Sequence, residues 1–252
     1  MNRWSKRGFR GNVTYRAASL AICGLLLIAL PLPVFSGKIP NSASQAVSNP
    51  PWLFAVAVKL HMKAVEGDRQ AARDSRRMFE DLVAADPADH EVAAYLGSSY
   101  LLAASMALTP WGKWTYAKKG LRLLDGAVET APADPRMRFL RGISARGLPG
   151  WFGRGSQADA DIAAVASTAR RDFLADRLTG EMAAYALYLE GLARNRRGDA
   201  EGAGRMWTEA LALGVVNTHT KNAERQLARL NEGRKREKAP ARFPQARPAG
   251  AS

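Results

Sequence analysis

Cysteine and histidine are scarce in this sequence. Its 252 residues include one cysteine, Cys23, and three histidines, His61, His90 and His219. A lone cysteine excludes an intramolecular disulfide and a cysteine-based metal site. The histidines are scattered, and none has a second ligand at a metal-binding spacing. We therefore expect no metal site and interpret the histidines as ordinary surface or interhelix residues.

Motifs for catalysis and nucleotide binding are also missing, since neither G-x-S-x-G nor G-x-x-x-x-G-K-[ST] occurs. The glycine-rich segment 153–156 follows no strand and is interpreted as a loop with a helix N-cap at Ser156. The candidates for acid–base chemistry are four aspartates, Asp159, Asp161, Asp172 and Asp176. Their helical spacing assigns them to a solvated face, with the first two favoured by a helix dipole. We expect no catalytic residue and no cofactor, so the protein is predicted not to be an enzyme.

Long runs of alternating apolar and polar residues, which indicate β-strands, are absent as well. Alanine, leucine and arginine dominate instead. This composition predicts an all-α protein.

Acidic residues are few at both ends of the chain. The net charge is +14, residues 1–16 hold five basic and no acidic side chains, and residues 232–252 hold six basic and two acidic ones. A nucleic-acid-binding protein more often carries a basic stripe on its folded face, so we expect no nucleic-acid partner. The Pro- and Arg-rich segment 232–252 lacks an apolar period and is predicted to be a disordered basic tail.

The N-terminus is organised as a targeting segment. No charged residue lies between Arg16 and Lys38, and residues 17–35 form an apolar run behind the basic ones. Nineteen helical residues would span about 28 Å, close to a bilayer core, but Pro31 and Pro33 would disturb the last turns. Residues 1–36 are therefore either a cleaved signal peptide or a transmembrane anchor that forms an N-terminal apolar helix.

The remainder of the chain is expected on the far side of the membrane. By the positive-inside rule the basic end stays in the cytoplasm, which places the domain on the periplasmic side of a bacterial-type cytoplasmic membrane. Residues 37–51, rich in Ser, Asn and Pro, are predicted to be a linker. Residues 52–231 are predicted to form the folded domain.

Internal repeats are clearest near the C-terminus. Gly191 lies in a first predicted helix, the turn 197–199 follows, and Asp199 is suited to cap the second helix. Ala203, Trp207 and Ala210 then recur 12, 16 and 19 residues after Gly191.

A second unit has the same features at a longer spacing. Its signature residues are Leu96, Gly97 and Tyr100 in the first helix, and Ala127 and Pro132 in and after the second. Gly97 and Pro132 are 35 residues apart, where a standard unit has about 24. The excess predicts an insertion around residues 101–114.

Two further helix pairs complete the array. One begins with a helix at 52–65 and continues after the turn 66–68. A looser pair, 138–145 and 158–169, is joined by the connection 148–154, and Arg141 stands in it where Leu is usual. The final helix, about residues 218–232, is predicted to be the polar cap of the array.

Over residues 52–231 the sequence resembles the tetratricopeptide-repeat (TPR) family, most specifically at 184–213 and 92–132. The resemblance implies an α-solenoid of about four antiparallel helix pairs. It also implies a non-catalytic scaffold that binds a protein or peptide in its concave groove. The alternative is a self-associating or complex-assembly component anchored in the membrane.

An aromatic and basic group is the candidate partner-binding surface. Insertions in solenoids often lie on the binding face, and Trp, Tyr and Arg are favoured in interface hot spots. Both irregular connections carry such residues: Trp111, Lys113, Trp114, Tyr116, Trp151, Phe152 and Arg154. The alternative is that these rings pack onto the solenoid to cover an irregular join.

Overall fold

The computed structural model describes residues 50–238. Its α-helices, in chain order, are α1 (Pro51–Val65), α2 (Arg69–Ala85), α3 (His90–Met106), α4 (Pro110–Thr130), α5 (Pro135–Arg146), α6 (Gly155–Leu174), α7 (Gly180–Arg196), α8 (Ala200–Ala212) and α9 (Thr218–Lys238). A 3₁₀ turn, Gly150–Phe152, lies between α5 and α6. This part of the chain contains no strand, so the predicted all-α class is confirmed.

The predicted signal peptide or anchor (1–36) and nearly all of the linker (37–51) lie outside the described residues. Within residues 50–238, no helix combines the length and the apolar character needed to cross a membrane. Helix α9 extends to Lys238, beyond the predicted boundary at 231.

Aspartate caps and prolines set where the helices begin. The carboxylates of Asp68, Asp89, Asp134 and Asp199 accept hydrogen bonds from backbone N–H groups of the first turns of α2, α3, α5 and α8. These bonds satisfy donors that have no partner inside the helix. The predicted cap at Asp199 is confirmed, with Gly202 N donating to its Oδ1 at 2.7 Å.

The predicted helix N-cap at Ser156 is wrong. Helix α6 starts at Gly155 with Arg154 at the N-cap, and no side chain caps it. Ser156 therefore lies inside the first turn, because the 3₁₀ turn and the left-handed Gly153 (φ 68°) let the helix begin earlier.

The predicted insertion at 101–114 is mostly helical. Helix α3 continues to Met106 and α4 begins at Pro110, so the extra residues lengthen both helices. The added turns of α3 are stabilised because Leu102 and Met106 pack against buried alanines of α1 and α2.

Each helix packs against the next, and the odd-numbered helices also contact one another in order from α1–α3 to α7–α9. The apolar core forms one cluster across α1–α5 and another across α5–α9, and Ile143 of α5 packs against both. All the repeat-signature residues except Pro132 are buried.

Glycine allows close helix contact at three of these junctions. A Cβ on Gly97 would lie 2.8 Å from the carbonyl oxygen of Gly120 on α4, and one on Gly142 would lie 3.0 Å from Ile162 on α6. A Cβ on Gly191 would overlap the indole ring of Trp207 on α8. That indole is buried and donates to the carbonyl oxygen of Tyr188 at 3.2 Å.

Candidate functional site

The first turns of α4 and the α5–α6 turn together present exposed aromatic rings. Trp114 stacks on Trp151 (ring centroids 5.8 Å apart) and on Phe152 (5.5 Å). Trp151 and Phe152 lie 4.0 Å apart in the 3₁₀ turn. With Trp111, one turn earlier on α4, we call these four residues the aromatic shelf.

The large apolar side chains of the shelf are unusually exposed to solvent. Trp111 is 77% exposed, Trp151 68% and Trp114 41%, and the neighbouring Leu108 in the α3–α4 loop is 94% exposed. Phe152 is half-buried and packs against the core, so it fixes the turn in place. Exposed apolar groups at this density are typical of interaction sites.

Basic side chains outnumber acidic ones around the shelf, where the carboxylate of Asp125 is bound by Arg154. Residues 92–124 contain no acidic side chain, but they contain Lys113, Lys118 and Lys119. All three lysines are exposed, and none forms an ion pair within residues 50–238. The Lys118 ammonium lies 5.5 Å from the Trp114 ring centroid, within the range of a cation–π contact. The shelf therefore combines an apolar surface with a positive rim.

Two of the residues predicted for this surface have other contacts. Tyr116 stacks on Tyr100 of α3 (6.0 Å) beneath the guanidinium of Arg76 from α2, which ties α4 to its neighbours. The Arg154 guanidinium donates to the Asp125 carboxylate at 2.7 Å and so holds the α5–α6 turn against α4. The structure thus brings together Trp114, Trp151 and Phe152, with Trp111 and Lys113 close by in sequence on the same helix.

Sequence reasoning missed Leu108 and Asp125. The signal for Leu108 was a large apolar residue directly before the Thr-Pro helix start, a position that is normally exposed. Asp125 gave no such signal, because its partner Arg154 is 29 residues away.

A buried polar cluster joins α1, α3 and α5. Both ring nitrogens of His61 are hydrogen-bonded, Nδ1 to Ser99 Oγ and Nε2 to Ser98 Oγ, each at 3.1 Å. Ser144 Oγ donates to Ser98 Oγ at 2.9 Å. His61 is thus the expected interhelix residue, and burial lowers the pKa of its imidazole to about 4.

This lowered pKa predicts a pH-dependent stability. The unfolded chain binds a proton at His61 near pH 6.5 and the folded chain only near 4, so folding is favoured fully above 6.5 and less as the pH falls toward 4. We expect protonation of His61 to lower the free energy of unfolding by about 2 to 3 kcal/mol as the pH falls through this window. Urea titrations of wild type and His61→Gln across the window measure it. Identical pH profiles for the two proteins would contradict the assignment.

The assignment of the aspartates to a solvated face is wrong for two of them. Asp161 and Asp172 are each 2% exposed. Asp161 accepts from Arg141 at 2.7 and 2.8 Å. Burial acts to raise the pKa of Asp172, but bonds from Thr168 and Arg171 outweigh it and lower that pKa.

These buried carboxylates are partnered by arginine, which suits structural ion pairs. No cluster of three or more potential metal ligands occurs within residues 50–238. Two open grooves lie away from the shelf, along α6, α8 and α9, and their linings mix arginine with glutamate. Their mixed charge favours no ligand of one sign.

Comparison of the chain with protein-family models, with curated proteins and with solved structures finds no match.

Proposed function

We propose that this protein is a non-catalytic, TPR-like scaffold of the cell envelope that binds a protein or peptide partner through the aromatic shelf. The observation that carries the proposal is the stack of Trp114, Trp151 and Phe152, whose two tryptophans are exposed to water beside lysines that form no ion pair within residues 50–238. Aromatic side chains bring large apolar area to an interface at small entropic cost, and they dominate binding energy there.

The packing pattern supports a solenoid of four helix pairs, α1–α2 to α7–α8, with α9 as the cap. Three-residue turns join α1 to α2, α3 to α4 and α7 to α8, as expected for antiparallel neighbours, whereas the longer connection 147–154 joins α5 to α6. The glycine contacts at Gly97, Gly142 and Gly191 recur at the same place in three pairs. The contacts among odd-numbered helices fit the inner side of such a solenoid, the proposed groove.

The groove offers a second contact area. Phe139 of α5 packs edge-on against Tyr185 of α7, and Tyr185 stacks on His219 of α9 at 3.9 Å. Tyr185 and His219 are half-buried, so part of each ring is accessible. A partner anchored at the shelf could extend along these rings.

The envelope location rests on the apolar segment 17–35 with its basic flank. Retention of that segment would favour the alternative role, a self-associating or assembly component held at the membrane. Cleavage would favour a soluble periplasmic carrier.

Site-specific photo-crosslinking in cells tests the shelf. A photoreactive phenylalanine analogue at position 111 is expected to give a discrete adduct, and Trp114→Ala/Trp151→Ala should weaken its formation by about 100-fold. The same analogue at Val216, which is 85% exposed on another part of the domain, is the matched control.

The identity of the adduct separates the two roles. A heterologous protein, found by mass spectrometry, supports the scaffold, whereas an adduct of two copies supports self-association. Equal adducts at positions 111 and 216, or an adduct unaffected by loss of Trp114 and Trp151 in a folded protein, would refute the shelf as the site.

A further inference from the structure

Helix α1 has apolar residues on both of its faces. The face toward the domain carries the buried residues Ala57, His61 and Ala64. The opposite face carries Trp52, Ala55, Val56, Lys59, Met62 and Lys63, all exposed and spaced to form one stripe. Trp52 is 63% exposed and Met62 44%.

The other terminal helix is built differently. The outer face of α9 carries charges of both signs, Lys221, Glu224, Arg225, Arg229 and Glu232. A face of this kind is stable in water and suits the end of a repeat array. The α1 stripe carries two lysines, which form no ion pair within residues 50–238, and one acidic residue follows it, Glu66, exposed at the C-cap of the helix. Contact with a surface that is both apolar and negatively charged would therefore stabilise this face.

We propose that the outer face of α1 docks on the surface of an anionic lipid bilayer. Tryptophan favours the headgroup region of membranes, and each lysine near an anionic surface contributes about 1 kcal/mol. Val56 and Met62, on either side of the lysines, supply the apolar contact of an interfacial helix.

Chain length allows this position. The proposal rests on the envelope location proposed above, in which segment 17–35 enters the membrane. Residues 36–50 follow it and can span up to about 50 Å, so α1 can reach the bilayer surface from the end of the apolar segment.

A second copy of the chain fits the face less well. A symmetric contact would place Lys59 and Lys63 of both copies close together, and like charges repel. A helix of 15 residues is also only about 22 Å long, too short to provide the roughly 800 Å² per partner of a typical stable interface.

Fluorescence of the full chain in vesicles tests the proposal. In a Cys23→Ser background, Met62→Cys carries an environment-sensitive dye, and Glu224→Cys on α9 is the control position. With mixed phosphatidylcholine–phosphatidylglycerol vesicles, the dye at 62 should shift to the blue and be quenched by spin-labelled lipid. In pure phosphatidylcholine it should respond much less, and the dye at 224 should not respond in either.

Charge variants identify the docking face. Lys59→Gln/Lys63→Gln should lower the ratio of docked to free α1 by about 30-fold. Lys113→Gln/Lys118→Gln, the same charge change at the shelf, should leave it unchanged. If the shelf variant abolishes docking instead, or the dye at 62 stays in water with anionic vesicles, the proposal is wrong. A dye at 62 already shielded in buffer would also overturn it, since a protein surface would then cover α1.

Flotation of the same samples separates this proposal from the anchor. If the chain floats with phosphatidylcholine vesicles but the dye at position 62 stays in water with anionic vesicles, the membrane anchor is supported and α1 docking is refuted. Flotation only with anionic vesicles, lost in Lys59→Gln/Lys63→Gln, supports docking and refutes the anchor. If the chain floats with neither lipid, both are refuted.

Discussion

Replacement of Arg141 by leucine is expected to lower the free energy of unfolding by about 4 kcal/mol. The Arg141 guanidinium donates two hydrogen bonds to Asp161, at 2.7 and 2.8 Å. The Asp161 side chain is almost fully buried, so its removal from water must be offset by its arginine partners. Leucine would leave the carboxylate with no hydrogen bond from Arg141 and only a longer ion pair with Arg138, at 3.6 Å. The TPR resemblance predicts the opposite sign, because leucine is usual at this position.

Two controls make the result interpretable. The double variant Arg141→Leu/Asp161→Leu should recover most of the lost stability, since it removes the buried charge as well as its partner. Arg205→Leu breaks an exposed pair with Glu201 (2.6 Å) and should cost less than about 0.5 kcal/mol. Urea titrations followed by circular dichroism measure all three proteins. A loss for Arg141→Leu no larger than that for Arg205→Leu would show that the buried pair has little energetic weight.

The helices were predictable because their signals are local. Asp199 stands directly before an apolar period, and its cap forms as expected; Asp89 and Asp134 occupy the same kind of position at α3 and α5. The signature residues were predictable as packing positions, because a glycine opposite a bulky residue at a fixed spacing implies helix contact.

The errors concern partners distant in sequence. The sequence around Asp161 predicts a surface residue. Its burial is explained by contacts with Arg141, 20 residues earlier, and with Arg138. An arginine at a position that is usually leucine was the available signal, because a buried arginine needs an acid. The helical form of residues 101–114 was missed for a similar reason: the extra turns of α3 are held by alanines of α1 and α2.

The aromatic shelf was predictable only in part from local sequence. Tryptophan in both connections indicated a shared surface, but the stacking of Trp114 on Trp151 depends on how α4 and α5 pack. Local patterns cannot provide that geometry. Local patterns also cannot distinguish Arg154, which pairs with Asp125, from the lysines of α4, which form no ion pair among the described residues.

Gly120→Ala is expected to destabilise the protein by about 3 to 4 kcal/mol, at the upper end for overpacking. A Cβ on Gly120 would lie 2.6 Å from the carbonyl oxygen of Gly97 and 3.0 Å from the side chain of Leu101. A backbone oxygen inside a helix cannot rotate away, so α3 and α4 would have to separate. Near-UV circular dichroism should report the resulting change at the shelf, because Trp114 is carried by α4.

The same substitution at Gly126 should act in the opposite direction. Gly126 lies six residues further along α4, and no heavy atom lies within 4 Å of its added Cβ. Alanine there should stabilise the helix by about 0.5 to 1 kcal/mol, because it restricts the unfolded chain and favours helix. Comparable effects of the two variants in urea titrations would contradict the close contact. Opposite signs within one helix would show that contact with α3, and not helix propensity, fixes glycine at position 120.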